Sequence, residues 1–460
     1  MNRRIVYIIL GILLPLSAFA QEADSVSLTL GQCISIASGG NTGVKNAHLD
    51  YLSAEMQRRE ALSYYFPQAS VSALGFHALD PLLRVEYADL LGASDAANTI
   101  TGYLGTMADR LGINTYYENL SHGFGIGVML MQPLYAGGKI VTGYRLASLG
   151  VEAASLNEAM ARRDAAVDVE RKYWLAVSLE EKARVVADGI ALVESLAGDA
   201  TAALAGGLVS DEVQHQAAMA RQELRSRQVQ LTGGIALARL DLCNALGLSD
   251  TMAATIRLTD RLDTACLPPR NYYRDPAAAV DSLQEAQLLR LGVQAKELEK
   301  RMTMRDALPQ VAVGGSYSYG RLINDSPSSN ALLFASVRIP LSDWGKTGCK
   351  MKNIDYQIQK AANDRENLRS LLELQLRKFW LDVETAWEQL LLKEEAVSYA
   401  ALLLRRCQAD VDAGLATRSD LLQRQLDLTT AECDRVDARI AYKNAVTQFL
   451  ARCHSGFFSS

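Results

Sequence analysis

The residues with the best claim to chemistry in this chain are five histidines, seven cysteines and a short run of alternating glycines. His48, His77, His122, His215 and His454 nowhere show the spacing of three or four that places two metal ligands on one helix face. Cys33, Cys243, Cys266, Cys349, Cys407, Cys433 and Cys453 form no CxxC pair, and an odd number cannot all pair within one chain. Neither a zinc site nor a disulfide framework is indicated. Several cysteines, such as Cys243, lie in apolar helical pattern, where a buried free thiol is the expected state. Gly123, Gly125 and Gly127 lack the spacing of a dinucleotide fingerprint, and the chain has no nucleophile elbow or phosphate loop. The pattern therefore argues against an enzyme, a cofactor or a bound metal, and no nucleic acid is expected as a partner.

If these residues carry no chemistry, the elements that hold them must carry the function. The 460 residues, with net charge -5 and 7% aromatics, would by themselves suggest two or three soluble domains. The first twenty residues read differently: Arg3 and Arg4 precede an apolar run from Ile5 to Leu14, and Ala18-Phe19-Ala20 offers a small-residue cleavage site. Residues 1–20 are expected to be a removed signal peptide, so the mature chain is exported. Beyond it no stretch reaches the roughly 18 apolar residues of a spanning helix. Any entry into a bilayer must be made by strands.

The ten prolines are unevenly placed, leaving gaps of 134 and 120 residues after Pro133 and Pro340 that predict long helices. Both gaps open alike, Pro133-Leu134 to Gly138-Lys139 against Pro340-Leu341 to Gly345-Lys346, an offset of 207. Seventy-four residues after each proline comes a Gly-Leu break, Gly207-Leu208 and Gly414-Leu415. Arg171-Lys172-Tyr173-Trp174-Leu175 matches Arg377-Lys378-Phe379-Trp380-Leu381 at 206, and Phe66-Pro67-Gln68 matches Leu308-Pro309-Gln310 at 242. An ordered set of matches at nearly constant spacing points to an internal duplication, with 35 extra residues in the first copy. That excess falls in an irregular insert from Asp80 to Leu120.

Each copy predicts a hairpin of strands about nine residues long, enough to cross a membrane when tilted. Val311, Val313, Tyr317 and Tyr319 alternate with small or polar residues, and the return strand alternates Leu333, Ala335, Val337 and Ile339 with Phe334, Ser336 and Arg338 around a turn at Asn324 to Asn330. In the first copy Phe124, Ile126, Val128 and Leu130 alternate with Gly123, Gly125, Gly127 and Met129, paired with Ala69 to His77. A soluble hairpin with one buried face has the same pattern. The flanking helices weigh against it: from Gly345 to Gly414, Leu368, Leu372, Leu376, Phe379, Val383, Trp387 and Leu390 step by threes and fours. A helix of that length would be on the order of 100 Å long.

The expected organisation is a signal peptide (1–20), an N-terminal segment with a first helix (21–66), a hairpin with its long extracellular insert (67–134) and a long helical hairpin (135–250). After an equatorial linker (251–275) come a helix opening the second repeat (276–308), a second hairpin (309–341), a second helical hairpin (342–453) and a tail (454–460). Four strands leave two open edges, and lipid offers no hydrogen-bond partners, so several chains must close one barrel. Two copies would make eight strands and three would make twelve; the strand pattern does not choose.

These residues resemble the TolC-like outer-membrane efflux and secretion proteins over nearly the whole mature chain. Leu28-Thr29-Leu30-Gly31-Gln32-Cys33-Ile34, the Pro-Gln before each first strand, the Pro-Leu and Gly-Lys after each second strand, and Gly207-Leu208-Val209-Ser210-Asp211 are similar to the family pattern. The resemblance implies a homotrimer, a membrane β-barrel in the bacterial outer membrane continued by an all-α helical barrel in the periplasm. It also implies a passive conduit for efflux or type I secretion, with a periplasmic adaptor and an inner-membrane transporter as partners. By the same resemblance Gly207, Leu208, Ser210, Gly414, Leu415 and Thr417 match the adaptor-docking tips. Glycine there is first a helix C-cap, and Ser210 and Thr417 are equally N-caps. Asp420 matches a ring of inward aspartates at the periplasmic aperture. One turn on stands Gln423 in place of a second acid, which departs from the family pattern. Pro133, Gly138, Pro340 and Gly345 mark the barrel-to-helix turns. The rival reading is a secreted coiled-coil scaffold or adaptor without a pore, which leaves the two apolar hairpins without a role.

Overall fold

The structure, a computed structural model, describes residues 26–79, 83–86, 106–107, 110, 116–119, 122–205, 211–262, 266–321 and 327–453. In chain order the elements are β1 (Val26–Leu28), α1 (Leu30–Gly40), α2 (Thr42–Ser63), β2 (Gln68–His77), β3 (Leu83–Glu86), β4 (Tyr116–Asn119), β5 (His122–Ala136), α3 (Lys139–Ala205), α4 (Asp211–Leu246), β6 (Ile256–Leu258), α5 (Gln284–Arg305), β7 (Gln310–Arg321), β8 (Ser328–Arg338), α6 (Lys346–Asp412) and α7 (Arg418–Cys453). The proline-free gaps are the two longest helices, α3 and α6, each of 67 residues. At 1.5 Å per residue each is about 100 Å long.

The described residues form two compact units, one from within 51–154 and 288–365 and the other from within 26–50, 155–287 and 366–453. The first unit holds one antiparallel sheet in the order β2-β5-β7-β8, plus the separate pair β3-β4. The insert expected to be irregular therefore carries a small hairpin, in which Leu83 to Glu86 pair with Tyr116 to Asn119. The turn expected at 324–330 is shorter, because Ser328, Ser329 and Asn330 already pair with β7. Polar side chains hid those three positions, although a ladder bond needs only the backbone.

In the second unit the apolar stripes of the helices meet. On α6, Leu376, Val383 and Leu390 are buried at seven-residue intervals, and Phe379 and Trp387 are half-buried beside them against Tyr442, Val446 and Phe449 of α7. This is the coiled-coil period read from the sequence. The N-terminal segment contains two helices where one was expected: α1 stops at Asn41, whose side chain bonds the Ala245 carbonyl and caps α2 through the Gly43 amide. β1 lies parallel to β6. Tyr173 of α3 secures this edge, its hydroxyl lying 3.1 Å from the Leu28 carbonyl and 2.9 Å from the Asp260 carboxylate. Cys33 and Cys243 are fully buried in the same core, and burial pushes the Cys33 thiol up to about 11. All seven cysteines are unbonded.

Two buried polar groups cross this unit. Arg163 pairs with Glu285 at 2.9 Å, and Arg452 reaches the same carboxylate at 2.9 Å. Glu170 accepts a 2.7 Å hydrogen bond from the Thr447 hydroxyl, while Lys443 sits 3.9 Å above the Trp174 ring. Burial pushes the Glu170 carboxyl up from its ordinary value of 4.5, despite the bonds from Thr447 and Trp174 and the nearby Lys443. A raised folded value means its contribution is fully present below the ordinary value and is lost as pH rises through the raised one. Glu170→Gln removes that loss, so its melting temperature relative to wild type should climb as pH rises above the ordinary carboxyl value of 4.5. Thermal denaturation across that range measures it; a gap that shrinks would contradict the burial argument.

Candidate functional site

The register of the sheet sorts its side chains onto two faces, because directly paired residues of antiparallel strands share a side. On one face stand Ala69, Val71 and Ala73 of β2, Phe124, Ile126, Val128 and Leu130 of β5, Val313, Tyr317 and Tyr319 of β7, and Leu333, Ala335 and Val337 of β8. The other face carries Ser70 and Ser72, Gly123, Gly125 and Gly127, Ser316 and Ser318, and Ser336 and Arg338, interspersed with Leu74, Phe76, Met129, Met131, Leu332 and Phe334. The apolar face is open in the single chain: Leu333 is 90% exposed and Val71 69%. Such an exposed patch marks contact with something apolar. The strands are 10 to 15 residues long, sufficient to cross a bilayer when tilted. Among the described residues no helix is long and apolar enough to do so.

At the strand-to-helix turns, Gly138 and Gly345 adopt φ of 77° and 81°, which explains glycine at both. Pro133 is not in its turn: it remains inside β5 opposite Ala312, at a bulge, and the strand continues to Ala136. Proline has no amide hydrogen to give the ladder, so the irregularity falls there. Pro340 stands two residues beyond the end of β8. Ahead of α6, Asp343 accepts bonds from the Gly345 and Thr347 amides.

Gly207, Leu208 and Ser210 lie outside the described residues, so the tip is seen in the second copy. Gly414 has φ of 74°, and the Leu415 amide bonds back to the Asp410 carbonyl at 2.7 Å, closing the end of α6. Leu415 is left 81% exposed at the turn. Thr417 then caps α7. Its hydroxyl accepts from the Asp420 amide at 3.1 Å, while the Asp420 carboxylate accepts from the Thr417 amide at 3.0 Å and from its hydroxyl at 2.6 Å. This is a reciprocal capping box with aspartate in place of glutamate. The Thr417 side chain and amide hold the exposed Asp420 carboxyl below the ordinary aspartate value.

The sequence signal for the box was the Thr-x-x-Asp spacing, which the reading of Thr417 alone passed over. One turn further, Gln423 bonds Asp427 at 3.0 Å and Arg424 pairs with the same carboxylate at 3.1 Å. Asp427, which the sequence reading did not single out, thus collects the polar groups of this turn. Behind them Leu422 is buried against Val186, Ile190 and Val193 of α3 and Ala217, Ala220 and Leu224 of α4. That packing fixes the face of α7 on which Asp420 and Gln423 stay exposed. Among the described residues no cluster of three or more His, Cys, Asp or Glu is placed to hold a metal.

Comparison with known proteins places this geometry. Residues 282–451, the second repeat, match the family model of outer membrane efflux proteins. By fold the chain is similar to a membrane protein from Pseudomonas aeruginosa at TM-score 0.73 and 14% identity, covering 94% of this chain and 91% of that one. It is similar to the CmeC outer membrane channel of Campylobacter jejuni at 0.72 and 14%, covering 93% and 86%. The outer membrane protein VceC of Vibrio cholerae matches at 0.69 and 15%, covering 92% and 96%. No curated protein matched by sequence. The fold is that of the outer-membrane channel proteins, and the resemblance read from the sequence is borne out.

The capping box predicts a specific coupling. Thr417→Ala should cost about 1 kcal/mol of helix stability at the start of α7. Asp420→Ala added to it should then cost little more, since both residues close one box. Amide hydrogen exchange at Leu421 and Leu422 measures both; fully additive losses would mean two independent caps.

Proposed function

We propose that this chain is the protomer of a passive trimeric channel in the bacterial outer membrane, the exit duct of an efflux or type I secretion system. The supporting observation is the apolar face of a four-stranded sheet whose two outer strands, β2 and β8, have no partner strand on their far sides among the described residues. In hydrocarbon those open backbone groups must be satisfied by strands, and only closure into a barrel leaves none over. Three copies give twelve strands. The glycine-rich and serine-rich face then borders water, and the long helices continue the conduit in the periplasm. The signal peptide at residues 1–20 delivers the chain there.

Channels of this design hold no energy source. An inner-membrane pump and a periplasmic adaptor supply it, and the adaptor docks on the tips formed by Gly207, Leu208 and Ser210 and by Gly414, Leu415 and Thr417. The exposure of Leu415 fits such a contact. Three copies of Asp420 around the aperture would focus a negative field and favour cations. The capping bond to Thr417 does not remove that charge: the lowered carboxyl stays ionised. Gln423, neutral, adds no second ring.

Two measurements test the reading. Leu415→Asp, combined with Leu208→Asp, should abolish export while the oligomer remains in the outer membrane; unchanged export would remove the docking assignment. In planar bilayers Asp420→Asn should lower cation selectivity of the single channel. A variant as selective as wild type would leave Asp420 as a cap alone. A scaffold without a pore would give no conductance at all and would wash off membranes without detergent.

A further inference from the structure

The two hairpins of the chain are copies down to the residue. In the first, Leu130 pairs with Ala69 and Met131 with Gln68; in the second, Val337 pairs with Val311 and Arg338 with Gln310. Adding the sequence offsets, 207 for the second strand and 242 for the first, converts one set of pairs into the other. The turns agree as well: Gly137 and Gly138 have φ of 63° and 77°, and their counterparts Trp344 and Gly345 have 53° and 81°. A tryptophan at positive φ is strained, and it persists here because the turn of the first copy is retained.

Between the hairpins the chain makes one junction of a different kind. β5 pairs with β7, Leu130 opposite Gly315 and Gln132 opposite Val313. Beside it the turn sits on the end of α5. Arg305 donates to the Gly138 carbonyl at 2.6 Å and contacts Thr142, Lys139 pairs with Asp306, and a Cβ on Gly137 would come 2.7 Å from the Arg305 carbonyl oxygen.

The second turn has no such neighbour. Trp344 is 98% exposed, nothing lies within 4 Å of a Cβ on Gly345, and Lys346 has no carboxylate partner among the described residues. The polar cleft of about 490 Å³ on its near side, lined by Asp306, Arg338, Asp343 and Lys346, does not include Trp344.

We propose that copies of this chain join by repeating, between β8 of one copy and β2 of the next, the junction that β5 and β7 make within the chain. The proposal rests on the closed-barrel reading above and adds its register. Adding 207 to the β5 residue and subtracting 242 from the β7 residue of each β5–β7 pair places Val337 opposite the next copy's Ala73, and Ile339 opposite its Val71. Val71, Ala73 and Val337 stand on the apolar face, and Ile339, one residue beyond β8, continues the alternation of Val337, so the register keeps that face continuous around the ring.

By the same mapping the Trp344 turn meets the end of the next copy's α2, where Ser63, Tyr64 and Phe66 stand for Arg305, Asp306 and Leu308. Serine is too short to reproduce the arginine clamp, and the indole cannot enter as closely as Gly137 does. The polar clamp is therefore replaced by an aromatic contact. Phe66, at 60% exposure, and half-exposed Tyr64 have the surface to make it.

Cysteine pairs test the register in membranes, with exposed Cys349 replaced by Ser. Opposed strand residues lie within disulfide reach. Val337→Cys with Ala73→Cys, and Ile339→Cys with Val71→Cys, should oxidise to ladders ending in a covalently closed trimer. The crossed pairs, Val337→Cys with Val71→Cys and Ile339→Cys with Ala73→Cys, use the same four substitutions and should link several-fold less. Stronger linkage in the crossed pairs overturns the register while leaving the trimer intact. A wild-type mass of one chain in detergent removes the closed barrel and this junction together. Trp344→Gly relieves the strained turn within the chain but deletes the contact, so the oligomer should dissociate at lower temperature on gels. An oligomer equally or more resistant overturns the aromatic contact.

Discussion

The whole arrangement depends on one constraint: backbone hydrogen-bonding groups on the outer sides of β2 and β8 border an apolar face and pair with no strand among the described residues. In water such edges would be solvated, and a sheet with one apolar face would cover itself with a helix. Here neither remedy is built in. The sheet instead presents the same length, alternation and open edges that closure with further copies would satisfy. Strand length, the apolar residues gathered on one face, and the duplicated hairpin are all intelligible as consequences of that demand.

The helical part obeys a different requirement. A helix of 67 residues has little stability from propensity alone and must bury a continuous stripe along its length. α6 and α7 do this with aromatic and branched residues at seven-residue spacing, and the start of α7 does it against α3 and α4. The ends of the hairpin need caps. At the second tip glycine closes one helix, and a Thr–Asp box opens the next within a few residues. Asp420 closes this box: the Thr417 hydroxyl and amide both donate to its carboxylate and hold it below the ordinary aspartate value.

Duplication explains what matches between the halves, and divergence is informative where it occurs. Gly137 and Trp344 hold the same backbone angle, but only the first is crowded by its own chain. At the inner turn both the positive φ and the crowding favour glycine, whereas at the outer one only the positive φ does. The clefts beside the turns differ in the same way. The first, about 410 Å³, is lined by Ala61, Tyr64, Met131, Ile140 and Met302, whereas the second is lined by Asp306, Arg338, Asp343, Lys346 and Lys350. The two repeats of the chain are thus alike in backbone and unlike in the chemistry beside their turns.

Much of this was legible in the sequence because it rests on local periodicity. Strand alternation, the coiled-coil stripe of α6, the proline-free helices and the repeat offsets are properties of neighbours along the chain, and spacing alone reports them. Ser328 to Asn330 and the β3–β4 hairpin were not legible, since a polar strand is recognised by its ladder rather than its side chains. The cap role of Asp420 was readable from Thr-x-x-Asp, but its choice among cap, aperture and solvated face depends on where α7 packs. Pro133 misled for a related reason: proline signals an interruption, and only the partner strand determines whether that interruption is a turn or a bulge. The sequence by itself thus determined the long helices, the two membrane-length hairpins, their duplication and their apolar faces. The tertiary structure alone decided the register between hairpins, the open edges and the uncovered Trp344, because those depend on contacts between residues hundreds of positions apart.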